Sequence, residues 1–110
     1  MTAQGSPTAR FRRALATGNP NLVLDAAAEL PRVSLEDALA VCVVLARERD
    51  PRYPRAAGRW LGRLLLERGL TLEQGLRAVA ALVELAGAPQ EAAPRGILAD
   101  LTANSPVDRA

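Results

Sequence analysis

The stretch Ala38-Leu39-Ala40-Val41-Cys42-Val43-Val44-Leu45-Ala46 shows carbon on every side, and nothing else in the 110-residue chain restricts its fold as strongly. Directly before it, Ser34-Leu35-Glu36-Asp37 has the form of a capping box. The serine oxygen can accept an orphan backbone amide there, and the acids sit at the positive end of a helix dipole. The stretch is therefore helical. A helix that is apolar all round cannot rest on a surface, so neighbours must enclose it at the centre of the fold. It is also far short of the ~20 residues that cross a bilayer, which argues against a membrane-embedded role.

Enclosure requires further helices, and the punctuation of the chain supplies them. Ser6 and Pro7 open a first helix over residues 7–17, with Phe11, Ala14 and Leu15 inward and Gly18 closing it. After Asn19-Pro20, the set Leu22, Val23, Ala26, Ala27 and Leu30 forms one face of a helical period that stops at Pro31. A fourth helix, after the central third, starts at Pro51 or Pro54 and runs to Arg68, where Gly69 can cap it. Its core face is Ala57, Trp60, Leu61, Leu64 and Leu65. Thr71-Leu72-Glu73-Gln74 is a second capping box, and Leu72, Leu76, Val79, Ala80, Leu82 and Val83 carry a fifth helix to Ala86 or Gly87. Ile97, Leu98 and Leu101 mark a short sixth helix over residues 94–103.

The predicted fold is all-α, with five or six helices in antiparallel hairpins. They form a compact bundle or a minimal two-repeat helical stack. Residues 7–103 are one helical domain between tails at 1–6 and 104–110, and helices three and five are its interior pillars.

Val33-Ser34-Leu35-Glu36-Asp37-Ala38-Leu39 matches Leu70-Thr71-Leu72-Glu73-Gln74-Gly75-Leu76 at an offset of 37, and Leu45 falls on Leu82. Residues 20–50 and 54–87 then read as two copies of a helical hairpin flanked by short capping helices. Two independent capping boxes on an ordinary bundle would give the same pattern. On that motif the chain resembles small α-helical repeat proteins of the tetratricopeptide and HEAT kind. The resemblance implies a helical stack and no particular functional residue.

Composition narrows the chemistry. With 49% hydrophobic and 24% charged residues the chain has a globular balance. Its one cysteine excludes an internal disulfide, and the absence of histidine removes the usual zinc and copper ligand, so no metal or cofactor is expected. Cys42 lies in the central helix, where apolar surroundings make a thiol inert. The carboxylate neighbours Asp25 with Glu29, Glu36 with Asp37 and Glu48 with Asp50 are accounted for by helix ends and solvation, so no catalytic residue is assigned and no enzyme is expected. Gly58-Arg59-Trp60-Leu61-Gly62 lies in a helix and is no phosphate loop. The amino end shows arginines but no apolar targeting core, giving an expected cytoplasmic location.

All fourteen basic residues are arginine, yet the net charge is only +2. Arg52, Arg55, Arg59 and Arg63 recur in steps of three, four and four, and so line one side of helix four. This row and Trp60, at the edge of the apolar face, are the candidate partner-binding residues. Asp25 and Glu29 share the spacing of Arg59 and Arg63, so acid could meet arginine in register if helices two and four stack in parallel. The expected function is a non-enzymatic protein–protein interaction or adaptor module, binding a protein partner or a second copy of itself. The alternative is nucleic-acid binding through the arginine face.

Overall fold

The computed structural model describes residues 5–103 as six helices: α1 (Pro7–Thr17), α2 (Pro20–Ala28), α3 (Leu35–Arg47), α4 (Tyr53–Arg68), α5 (Leu72–Gly87) and α6 (Ala92–Thr102). No strand occurs among the described residues. Most helices begin at a local cap. Ser6 Oγ accepts the Ala9 amide at 3.0 Å, Asn19 Oδ1 accepts those of Asn21 and Leu22 at 2.9 and 3.2 Å, and Ser34 Oγ accepts that of Asp37 at 3.0 Å. At α5 the box is reciprocal: Thr71 Oγ1 accepts the Gln74 amide at 3.1 Å while Gln74 Oε1 accepts the Thr71 amide at 2.9 Å. Gly18 and Gly69 close α1 and α4 at φ 68° and 58°, the left-handed region that glycine enters without strain.

Boundaries move by a residue or two for local reasons. α4 starts at Tyr53 because Asp50 organises the turn before it: its Oδ1 accepts the Arg52 amide at 2.9 Å and its carbonyl accepts the Tyr53 amide at 3.0 Å. α6 starts at Ala92, ahead of Pro94, since a first-turn proline has no amide to lose. Of the expected tails, residues 1–4 and 104–110 lie outside the described residues, and Ser6 serves as the α1 cap.

α3 is the hub, in contact with α1, α2, α4, α5 and α6. It buries Leu35, Leu39, Val41, Cys42, Val44, Leu45 and Ala46, as its all-apolar sequence demands. Phe11, Val23, Trp60, Leu64, Leu85 and Leu98 fill the space around it. α6 folds back across both α5 and α3, and Arg68 Nε of α4 donates to the Thr102 carbonyl at 2.6 Å. The helices therefore close into a bundle.

α5 departs from its expected place as a second interior pillar. Its buried residues are Ala78, Ala81, Leu82 and Leu85, whereas Leu72, Leu76, Val79 and Val83 face solvent. α5 has two apolar stripes, and the one that carries Ala78, Ala81, Leu82 and Leu85 is the one packed against α6, α4 and α3.

Candidate protein-binding face

On α5 the exposed stripe Leu72, Leu76, Val79 and Val83 advances by four, three and four residues, the spacing of a seam that lies along another helix. α4 runs antiparallel beside it and carries Pro54, Gly58, Leu61 and Leu65 in the same steps. Of these only Leu61 is half-buried; the others are exposed. Contacts fix the level of the two helices. The Tyr53 hydroxyl donates to the Leu82 carbonyl at 2.6 Å, and a Cβ on Gly75 would lie 3.4 Å from Leu65 Cδ2. Between the helices runs an open apolar groove lined by Pro54, Ala57, Leu61, Val79, Val83 and Ala86. The result is a face two helices wide, with Leu72, Val83 and Leu76 exposed to 80, 69 and 61%. Leu66, 87% exposed, sits at its margin. Contiguous apolar surface of this kind marks contact sites on small soluble domains.

Of the expected binding residues, Arg55 and Arg59 lie at the α4 edge of this face, while Trp60 is buried. Trp60 is 1% exposed, and its Nε1 donates to the Leu35 carbonyl at 2.9 Å. It ties α4 to the first turn of α3 and cannot be a surface anchor: its place on the edge of the α4 apolar face is covered by α3. The arginine row is split by its partners. Arg52 donates to both carboxylate oxygens of Asp50, at 2.9 and 2.8 Å, and to Asn21 Oδ1 at 2.9 Å. These bonds lower the Asp50 carboxyl to about 2 and raise the guanidinium above its ordinary value. Arg63 is held by Glu67 at 2.9 Å. Arg55 and Arg59 are exposed and make no ion pair among the described residues.

The acid ladder between helices two and four does not form within the chain. Glu29 instead meets Arg10 at 2.6 Å, since α1 and not α4 packs along α2. Leu65, assigned to the core, is 42% exposed and belongs to the outer face.

Cys42 is buried, and desolvation pushes its thiol up to about 12; the Tyr53 hydroxyl is likewise pushed up to about 12 by burial. Among the described residues no three cysteine or carboxylate side chains gather as a metal site, and no helix is long and apolar enough to cross a membrane. The spacing that would have revealed the α4–α5 face was present in the sequence, but it resembled a core stripe.

Fold and surface together define a small all-α bundle with an uncovered two-helix apolar face. No family model, curated protein or solved structure matches the chain.

Proposed function

We propose that this protein is a non-enzymatic interaction module that holds an α-helical protein surface on its α4–α5 face, in the cytoplasm, where a lone cysteine stays reduced. One observation carries the reading: two stripes with seam spacing on antiparallel helices, Pro54 to Leu65 and Leu72 to Val83, stand open to water except at the half-buried Leu61. Covering apolar surface is favourable by roughly 25 cal/mol per Å², so a helix pair or groove of matching shape would gain from docking there. Trp60 takes no part in it.

Nucleic-acid binding is the weaker reading. Arg52 and Arg63 already have carboxylate partners, which leaves Arg55 and Arg59 as the row's unengaged cations among the described residues. Phosphate tracking generally uses more charge than this.

A photo-crosslinking residue placed at Leu76, and a control at the exposed Ala16 of α1, tests the proposal in cells. Discrete protein adducts should arise from position 76 and not from 16, and Val83→Glu should abolish them. Nucleic-acid adducts from Arg55 or Arg59, with none of protein from 76, would replace the proposal by the weaker reading.

A further inference from the structure

Resting on the interaction reading above, we infer that the occupant of the α4–α5 face is the same face of a second copy of this chain, related by a two-fold axis parallel to the helices. The two hairpins then stack as a four-helix bundle in which α4 of each copy lies antiparallel on α5 of the other. Three features of the hairpin lead there.

The first is self-complementarity. Both stripes have the same four-three-four spacing and neither contains a charge, so either can serve as the seam for the other. The second is extent. α4 and α5 are 16 residues each, so the face measures roughly 24 Å by 20 Å from the rise per residue and the interaxial spacing. That is roughly 480 Å² per partner in projection, the size of a small interface.

The third feature is charge, and it selects the axis. Arg55 and Arg59 each follow an α4 stripe residue by one position, as Glu73 and Glu84 each follow an α5 stripe residue. Ala57, Gly75 and Leu82, each one position before a stripe residue, face the groove between the helices, so a step of about 100° the other way puts the arginines on the outer edge of α4 and the acids on the outer edge of α5. All four are exposed and none makes an ion pair among the described residues. Within one chain these edges are two helices apart. A two-fold axis parallel to the helices keeps every residue at its own level and exchanges left for right, so the arginine edge of one copy faces the acidic edge of the other. The internal contacts Tyr53 to Leu82 and Leu65 to Gly75 bracket the level of Arg55 between residues 80 and 85 of the second copy's α5, within a turn of its Glu84, with Arg59 about one turn further along α4. Arg77, on the acidic edge, falls level with the span from Arg59 to Arg63, of which Arg63 is already held by Glu67, so the attraction between these edges is centred on Arg55 and Glu84. An axis perpendicular to the helices would instead lay α5 on α5, acid edge against acid edge, and α4 on α4, arginine against arginine. Like charges in that arrangement oppose docking.

The full chain, studied by sedimentation equilibrium, should be a dimer. Val83→Glu should make it a monomer with unchanged helical circular dichroism, because Val83 is exposed in the isolated chain. Arg55→Glu with Arg59→Glu should weaken the dimer about 5- to 10-fold, and adding Glu84→Arg should restore most of that loss. Geometry is read by oxidation: Arg55→Cys mixed with Glu84→Cys should give a disulfide-linked heterodimer, while Glu84→Cys alone should not link to itself. A monomeric wild type, an additive charge reversal without rescue, or efficient 84–84 linkage overturns the inference. If the wild type is monomeric while position 76 still crosslinks to a different protein, the second-copy inference falls and the interaction reading stands.

Discussion

α3 and α5 begin with matching sequences, yet they meet opposite fates at matching positions. Leu35, Leu39, Cys42 and Ala46 are between 1 and 8% exposed, whereas their counterparts at an offset of 37, Leu72, Leu76, Val79 and Val83, are between 42 and 80% exposed. The other stripe behaves alike in both helices: Val41, Val44 and Leu45 are buried, and so are Ala78, Ala81 and Leu82. α3 therefore needs covering on two sides and receives it from five helices. α5 has the same two apolar sides but only one of them is covered. What differs is not the helix but its neighbours: α4 packs on α3, with Trp60 bonded to its first turn, and none of the described helices lies across the seam of α5.

The strongest way to break this comparison is to cut the same side chain at matched positions. Leu39→Ala should lower the unfolding free energy by about 2–4 kcal/mol, through lost transfer energy and the cavity left in a core that α1, α4 and α6 also line. Leu76→Ala should cost less than about 0.5 kcal/mol in the same measurement, urea unfolding at low protein concentration, where association adds nothing. Equal losses would show that α5 is enclosed on both sides after all.

Cys42 and Val79 offer a second matched pair, read through a thiol. The native Cys42 thiol is pushed from 9.0 to about 12, so above pH 9 the unfolded chain releases a proton that the folded chain keeps. Its contribution to stability is complete below pH 9 and is lost progressively as pH rises from 9 towards 12. Tyr53, pushed from 10.0 to about 12, adds the same kind of loss beginning one unit higher. Urea midpoints measured from pH 7 to 11 should therefore begin to fall near pH 9, and in Cys42→Val near pH 10. A thiol placed by Val79→Cys should be alkylated at once in the folded protein at low concentration, where the α4–α5 face is uncovered, while Cys42 should react only after denaturation. Rapid labelling of Cys42 in the native chain would contradict its burial.

Helix starts were legible in the sequence because a cap is a local interaction: Ser6, Asn19, Ser34 and Thr71 each reach an amide two or three residues away. The hub position of α3 was legible too, since an all-apolar helix has one solution. The candidate face was not. Which of two apolar stripes α5 buries depends on where α6 and α3 lie against it, and the buried one carries Ala78 and Ala81, residues that look less hydrophobic than Leu72 or Leu76. Leu65, assigned to the core, is exposed, and Trp60, placed both on the core face and among the candidate anchors, is core; each lies at the margin of a helix whose rotation is set by distant contacts. The pairing of arginines was equally non-local: Arg10 meets Glu29 across 19 residues, and Arg52 meets Asn21 across 31.

The capping motifs sharpen the comparison at smaller magnitude. Thr71 and Gln74 satisfy each other's amides, whereas at α3 Asp37 turns its carboxylate to Arg12 at 3.0 Å and leaves the box one-sided. Ser34→Ala should cost about 1 kcal/mol and Thr71→Ala somewhat more, since removal of the hydroxyl also frees the glutamine that it positions. Thermal unfolding of the two single variants and of Gln74→Ala checks the order; a Gln74→Ala effect as small as an ordinary surface change would reduce the α5 box to a simple cap.

The smallest expected effect has the opposite sign and concerns how the two helices end. α3 terminates with the Asp50 amide donating to the Leu45 carbonyl at 2.9 Å and the Arg49 amide to the Ala46 carbonyl at 3.0 Å, a Schellman closure that places Arg49 at φ 50°. Glycine fills the left-handed position after α1 and α4, but here an arginine bears the crowding of a Cβ against its own backbone. α5 avoids the problem by leaving its helix through Ala88 at φ −143°. Arg49→Gly should therefore raise the unfolding free energy by up to about 1 kcal/mol, the relief of left-handed strain exceeding the added freedom of the unfolded chain. Ala88→Gly should lower it by a few tenths, because extended backbone asks nothing of glycine and only the entropy term remains. If Arg49→Gly destabilises, the exposed guanidinium is making a contribution there that outweighs its backbone strain.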